Sequence, residues 1–193
     1  MTAPLPSDLP TVLVLASGRG ERFRASGGAT HKLAAPLGGK PVLERTLDAV
    51  RASGLPWHLE DAGHPGMGDS VAAAVRATSG ASGWLVLPAD LPLVLPETLR
   101  RVAEALAAGA AAVQPHHEGK RGHPVAFAAD ARDALLALSG ERGAAPVLQA
   151  LRARGQVLDL VVDDIGTVTD IDTLADLAAA EALLAARGVR SCE

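Results

Sequence analysis

The chain has 193 residues and a net charge of −4; hydrophobic residues make up 48% of it and aromatic residues only 2%. This length suits one compact domain with a core of Ala, Val and Leu, and the acidic balance argues against general nucleic-acid binding. No apolar run approaches the ~20 residues of a membrane helix. The single cysteine, Cys192, rules out a disulfide framework within the chain and fits a reducing cytoplasm.

The predicted elements alternate between strands and helices along the chain. Residues 1–10 are rich in proline and are predicted to form a flexible tail, followed by a single domain over 11–188. An apolar run from Val12 predicts a strand buried on both faces, ending at Ser17-Gly18. Further strands are predicted over 55–59, 83–88, 110–114, 123–127 and 157–162, and helices over 41–53, 68–78, 96–108, 130–138, 144–153 and 174–187. This alternation predicts a three-layer α/β fold with a mostly parallel sheet.

A glycine-rich turn follows the first strand and carries positive charge. Gly18 and Gly20 allow the backbone N–H groups to turn towards an anion, while Arg19, Arg22 and Lys32 add full charges. The segment is not a dinucleotide fingerprint, because Phe23 stands where a third glycine is needed, and it lacks the Gly-Lys-Ser/Thr of a Walker A loop. It is either a polyphosphate-binding loop or an ordinary turn without a ligand.

Carboxylates follow two other predicted elements. Asp90 comes directly after the strand over 83–88, and Asp170 and Asp172 precede the last helix. Each has an ordinary structural alternative, since Asp90 could stabilise a turn and Asp172 or Thr173 could cap the helix. Taken together with the basic loop, they provide the parts for metal-assisted phosphoryl or nucleotidyl transfer, with Mg²⁺ held by Asp90 and by Asp170 or Asp172.

Other polar residues are interpreted structurally. Asp69 or Ser70 is predicted to cap the helix over 68–78, and the pair Asp163-Asp164 is predicted to form a solvated turn. Three histidines in the middle of the chain have spacings that match no usual zinc site, namely His116, His117 and His123.

At these residues the chain resembles a known family. Residues 15–23, followed by Lys32-Leu33, resemble the signature loop of nucleotidyltransferases with a single Rossmann-like domain. More narrowly, the chain is similar to the MobA-like NTP transferases, and among them to the molybdenum cofactor cytidylyltransferases. This similarity rests on further segments in the same order, residues 37–44, 66–70, 90–94, 122–125 and 170–173.

The resemblance implies a Rossmann-like fold and transfer of CMP from CTP to molybdopterin, with Mg²⁺ bound and pyrophosphate released. It implies catalytic contacts by Arg22, Lys32 and Asp90, metal contacts by Asp90, Asp170 and Asp172, and an acceptor side at Gly122 and His123. Nucleotide-binding positions implied by the resemblance are Leu15, Ala16, Ser17, Gly18, Arg19, Gly20, Lys32, Gly66, Met67, Gly68 and Ser70.

The chain departs from the family pattern between Leu55 and Gly66. One strand–helix unit is predicted to be missing there, because the segment is too short for a crossover of a dozen residues. The sheet should therefore be narrower, with an exposed edge that could pair with a second copy.

Two alternatives stay open, namely guanylyl or sugar-phosphate nucleotidyl transfer, and nucleotide binding without turnover. No nucleic-acid or membrane partner is expected, and the predicted location is the cytoplasm.

Overall fold

The computed structural model describes residues 9–190, with side chains up to residue 187. Most of the predicted tail over 1–10 lies outside the described residues, as does Cys192. The strands are β1 (Thr11–Leu15), β2 (Pro36–Leu37), β3 (Lys40–Pro41), β4 (Trp57–Glu60), β5 (Gly83–Pro88), β6 (Ala112–His117), β7 (Lys120–Arg121), β8 (Val125–Ala128) and β9 (Val157–Val161). The α-helices are α1 (Glu21–Ala25), α2 (Val42–Ser53), α3 (Met67–Ala77), α4 (Pro96–Ala107), α5 (Arg132–Leu136), α6 (Ala145–Ala153) and α7 (Leu174–Arg190).

Seven of the described strands form one mixed sheet in the order β4-β1-β5-β8-β6-β7, with β9 also paired to β6. Strands β4, β1, β5, β6 and β9 point in one direction, while β8 and β7 run against them. This confirms the predicted α/β fold with a mostly parallel sheet. Among the described helices, none combines the length and apolar character needed to cross a bilayer.

Side-chain alternation along β1 explains the three layers. Val12 and Val14 pack into a core with helices α2, α4 and α7, whereas Leu13 and Leu15 pack into a second core with α3, α5 and α6. Neighbouring strand residues point to opposite faces, so a strand that is apolar throughout needs helices on both sides. Strand β1 is therefore buried along its whole length, and its carboxyl end lies where loops from several strands meet.

Strand β4 is an edge of the sheet, because it pairs with β1 alone. The connection over 61–66 leads from β4 straight into α3, so α2 and α3 are separated by one strand. This agrees with the predicted absence of a strand–helix unit in the region between Leu55 and Gly66.

Two local predictions were wrong in their details. Helix α3 begins at Met67 with Gly66 at its N-cap and has no side-chain cap, because the Asp69 carboxylate instead accepts a hydrogen bond from the Gly140 amide. The segment over 116–122, for which no strand is predicted, contains the end of β6 and the whole of β7. This hairpin forms because Glu118 and Gly119 both adopt positive φ, which suits a tight turn between twisted strands.

The predicted solvated turn at Asp163-Asp164 was wrong for one of its two residues. Asp163 is exposed, but Asp164 is buried. The Asp164 carboxylate accepts hydrogen bonds from the Leu95 amide at 2.9 Å and the Thr98 hydroxyl at 2.8 Å, and it pairs with Arg187 at 3.1 Å. Burying a carboxylate is tolerated only when its oxygens are paired. Asp164 therefore joins α4 to α7.

We expect the substitution Asp164→Ala to lower the free energy of unfolding by about 3 kcal/mol. The reason is that it removes the buried carboxylate that accepts hydrogen bonds from Leu95 and Thr98. Urea unfolding monitored by circular dichroism measures this difference. The neighbouring substitution Asp163→Ala is the control and should change stability by no more than about 0.5 kcal/mol. Equal effects of the two substitutions would contradict the structural role of Asp164.

Candidate functional site

A cavity of about 810 Å³ opens beyond the carboxyl ends of β1 and β5, where open parallel sheets bind their ligands. It brings together residues that are far apart in the sequence and on separate elements. The predicted site residues that line it are Ser17, Gly18, Arg19, Gly20, Arg22, Lys32, Gly66, Met67, Ser70, Asp90, His123, Asp170 and Asp172. Four other predicted residues do not line the cavity, namely Leu15, Ala16, Gly68 and Gly122.

The glycine-rich loop is held in place by His31, which the sequence did not single out. The His31 ring lies 2.8 Å through Nε2 from the Gly18 carbonyl oxygen and 3.3 Å through Nδ1 from the Leu33 amide nitrogen. These partners require a proton on Nε2 and a lone pair on Nδ1. Gly20 has φ 63°, and a Cβ there would lie 3.2 Å from the same ring, so the loop requires glycine at this point.

A backbone hydrogen bond explains why two distant carboxylates meet. The amide of Ile171 donates to the Asp90 carbonyl at 3.0 Å, and the Ile171 side chain is fully buried. The Ala89 amide in turn donates to the Leu15 carbonyl, which fixes Asp90 beside the end of β1. The core thus anchors the segment before α7 directly against the end of β5.

Lys32 lies at the centre of the site. Its Nζ atom is 2.5 Å from Oδ2 of Asp90 and 2.9 Å from Oδ1 of Asp172. Burial alone would lower the pKa of Lys32, but the charges and hydrogen bonds of Asp90 and Asp172 outweigh it, so that this pKa is raised. The ammonium group is therefore fully charged at neutral pH and holds the two carboxylates together.

Arg22 also contacts Asp172, but in a different setting. A guanidinium nitrogen of Arg22 lies 2.7 Å from Asp172 Oδ2, yet the Arg22 side chain is 78% exposed. Ion pairs of exposed side chains contribute only about 0–1 kcal/mol. Arg22 can therefore exchange Asp172 for another anion at little cost, whereas Lys32 is fixed.

The structure shows that Thr173, and not Asp172, caps helix α7. The Thr173 hydroxyl accepts from the Asp176 amide at 3.2 Å, and the Asp176 carboxylate accepts from the Thr173 amide at 2.7 Å. This reciprocal pair is a capping box, so Thr173 caps α7 and leaves Asp172 to the cavity.

The carboxylates offer oxygen ligands for a hard divalent cation. Oδ1 of Asp90 is buried. Among the buried side-chain nitrogen and oxygen atoms that the structure describes, it is the one without a hydrogen-bond partner. Asp170 lines the same cavity, where desolvation and the charges of Asp172 and Asp90 raise its pKa. No three His, Cys, Asp or Glu side chains among residues 9–187 form a complete metal cluster. A cation here would need substrate oxygens as well, as Mg²⁺ sites usually do.

The walls on the two sides of this centre are built differently. On one side, the loop around Gly140 closes over the start of α3: the Gly68 amide donates to the Gly140 carbonyl at 2.7 Å. A Cβ on Gly66 would lie 2.5 Å from the same backbone, so the contact requires glycine. On the other side, the His123 amide donates to Thr167, and burial lowers the pKa of the His123 imidazole although Asp90 opposes this.

Several lining residues escaped the sequence interpretation: His64, Pro65, Lys120, Arg121, Glu141 and Thr167. The pair Lys120-Arg121 had a detectable signal, because it follows a Glu-Gly turn that predicts a hairpin. Glu141 had none, since it reaches the cavity only through the packing of its loop against α3.

Comparison with known protein families determines which family the chain belongs to. A model described as the MobA-like NTP transferase domain matches residues 49–156, more than half of the chain. The chain belongs to the MobA-like NTP transferase family. This confirms the resemblance found in the sequence motifs.

Curated relatives of this MobA-like protein include two kinds of protein. It is 34% identical over 134 residues to the 2-C-methyl-D-erythritol 4-phosphate cytidylyltransferase of Frankia casuarinae, a match that covers 58% of this chain and 49% of the relative. It is 32% identical over 116 residues to the bifunctional protein GlmU of Coxiella burnetii, covering 49% of this chain and 25% of the relative. The matches thus span about half of the first relative and a quarter of the second.

Solved structures share the fold of the MobA-like protein. Rv0371c from Mycobacterium tuberculosis superposes with a TM-score of 0.73 at 23% identity, covering 91% of this chain and 98% of that one. A manganese complex of the same protein gives a TM-score of 0.67 at 23% identity, covering 88% and 96%. The molybdopterin-guanine dinucleotide biosynthesis protein A of Archaeoglobus fulgidus gives 0.61 at 22% identity, covering 91% and 98%.

The raised pKa of Lys32 predicts how stability depends on pH. A group whose pKa is higher in the folded state stabilises the protein fully below its ordinary pKa of 10.5 and loses that contribution as the pH rises through the folded value. We therefore expect Lys32→Met to be less stable than the wild type by about 3 kcal/mol at pH 8. This difference should shrink above pH 10.5, as measured by urea unfolding along a pH series.

The matched control is Lys40→Met, since Lys40 pairs with Asp48 at an exposed position. Its effect on the free energy of unfolding should stay below about 1 kcal/mol. A Lys32→Met difference that remains constant between pH 8 and 11.5 would contradict the proposed charge on Lys32.

Proposed function

We propose that this MobA-like protein is a nucleotidyltransferase that moves a nucleoside monophosphate from an NTP to a phosphorylated acceptor and releases pyrophosphate. The observation that carries this proposal is Lys32 held between Asp90 and Asp172 on the wall of a cavity that the glycine-rich loop also lines. Cations and carboxylates alternate within a few ångströms there. This arrangement complements a triphosphate together with a divalent cation.

The proposed reaction is one in-line displacement. An oxygen of the acceptor phosphate forms a bond to the α-phosphorus of the NTP while the bond from that phosphorus to the bridging oxygen breaks. The electron pair leaves with pyrophosphate, and no protein nucleophile is needed. Catalysis then depends on positioning and on neutralising charge, for which Lys32 and the exposed Arg22 are suited.

The remaining roles are those that the family resemblance implies. Backbone groups over 15–20 and residues Gly66, Met67, Gly68 and Ser70 would hold the nucleotide. Gly122 and His123 would border the acceptor. Asp90, with Asp170 or Asp172, would hold Mg²⁺, for which the unpartnered Oδ1 of Asp90 offers a free oxygen ligand. When bound, the cation neutralises and orients the phosphates. The manganese complex of the similar Rv0371C supports a divalent cation, because Mn²⁺ and Mg²⁺ accept the same oxygen ligands.

We further propose CTP as the donor and molybdopterin as the acceptor. The cytidylyltransferase among the relatives supports CMP transfer, and the narrower motif likeness supports molybdopterin. The Archaeoglobus protein keeps guanylyl transfer as the second candidate, and sugar-phosphate nucleotidyl transfer stays open beside it. A homodimer through the β4 edge and a cytoplasmic location stay predictions.

The test is pyrophosphate release from CTP and molybdopterin in the presence of Mg²⁺, comparing the wild type with Asp90→Asn. Removing a group that stabilises transition-state charge should lower the rate about 100-fold or more. Asp163→Asn is the matched control, because Asp163 is an exposed aspartate outside the cavity lining, and it should keep the wild-type rate.

Thermal shifts with ATP, CTP, GTP and UTP identify the donor, since a ligand that binds only the folded state raises its stability. Stabilisation by CTP without pyrophosphate release from molybdopterin or sugar phosphates would favour nucleotide binding without turnover. Equal rates for the wild type and Asp90→Asn would remove Asp90 from the mechanism.

A further inference from the structure

The end of β4 contains a cluster around the buried Glu60 that the proposed reaction does not use. The Glu60 side chain is only 9% exposed, and its carboxylate lies 3.0 Å from Nε2 of His64 and 3.3 Å from Nε2 of His58. The Ala62 amide also donates to it at 3.3 Å. The Glu60 carbonyl accepts from the Ala16 amide at 2.9 Å, which ties the cluster to the start of the glycine-rich loop.

The cluster reaches the cavity through one residue. His64 lines the cavity, whereas His58 and Glu60 do not. His64 lies beside Pro65, Gly66 and Met67 at the start of α3, where the one charged lining residue is Glu141 among those described. This side of the cavity is therefore mostly uncharged.

The opposite side has a different chemistry. It follows β5, β6 and β7 across the sheet and carries Lys120, Arg121 and Asp170 around His123. A phosphorylated acceptor requires charged partners, whereas a nucleobase is flat and uncharged. With the triphosphate on the central Lys32 and the glycine-rich loop, the base belongs on the side of His64 and the acceptor on the side of Lys120.

The hydrogen bond between His64 and Glu60 determines which ring nitrogen of His64 can contact a ligand. Desolvation raises the pKa of Glu60, but the hydrogen bonds from His64, His58 and the Ala62 amide outweigh it, so that this pKa is lowered. Glu60 is then an ionised carboxylate, which only accepts hydrogen bonds, and Nε2 of His64 must carry the proton. In a neutral imidazole the other nitrogen, Nδ1, is then an acceptor. Nδ1 of His64 has no hydrogen-bond partner among the described residues.

We propose that His64, held by Glu60, reads the exocyclic amine of the nucleobase and so makes the site select CTP over UTP. The two nucleotides are nearly the same size and differ at base positions 3 and 4: cytosine has an acceptor nitrogen and an amine there, and uracil has an N–H and a carbonyl. An acceptor on His64 pairs with the amine and faces the carbonyl as a second acceptor. This inference rests on the proposed function, of which it names the base-selecting residue, and it assigns Glu60 as a positioning residue.

The test measures dissociation constants for CTP and UTP by calorimetry with Mg²⁺ at pH 8, where an ordinary imidazole is neutral. The wild type should bind CTP about tenfold more tightly than UTP, and His64→Ala should lose about threefold to tenfold of that preference. Glu60→Gln should also reduce the ratio while CTP still binds, because a neutral amide no longer fixes the proton on Nε2. The matched control, His58→Ala, touches the same carboxylate outside the cavity and should keep the ratio.

The outcomes separate this inference from the proposed function. Tight CTP binding with an unchanged CTP-to-UTP ratio in His64→Ala would overturn the role of His64 and leave the transferase proposal standing. An unchanged ratio in Glu60→Gln would overturn its positioning role. Loss of the ratio in Glu141→Gln but not in His64→Ala would assign the reading of the amine to Glu141. Failure of the folded wild type to bind any NTP would instead overturn the proposed function itself.

Discussion

The site depends on one buried interaction, the ammonium group of Lys32 between the carboxylates of Asp90 and Asp172. Three segments that are remote in the chain meet there: the loop after β1, the end of β5 and the approach to α7. Placing two carboxylates at this depth without a cation would be unfavourable, because they would repel each other away from bulk water. Lys32 offsets this repulsion through its ion pairs with both carboxylates.

The fold supplies the rigid support for that interaction. Strand β1 is enclosed by both cores, and the amide of buried Ile171 fixes the segment before α7 against Asp90. Asp164 stabilises the same region by linking α4 to α7. In contrast, the groups that face solvent, such as Arg22, are held weakly. The site thus combines a buried centre with an exposed rim.

The narrow side of the sheet also shapes the cavity. Because one strand–helix unit is absent, the connection over 61–66 runs directly from the end of β4 to the start of α3. This short path places Glu60 and His64 next to the loop that follows β1. The short connection therefore contributes His64, Pro65 and Gly66 to the side wall of the cavity.

The sequence alone determined the α/β class, the buried strand β1 and the small set of charged residues that follow it. Those features follow from local patterns: apolar β-branched runs, glycines before cations and an aspartate directly after a strand. The distinction between Asp163 and Asp164, the cap at Thr173 rather than Asp172 and the position of Glu141 were decided only by the tertiary structure. Neighbouring acidic residues look alike in sequence, and only packing against distant segments determines which one is buried, which one caps a helix and which one reaches the cavity.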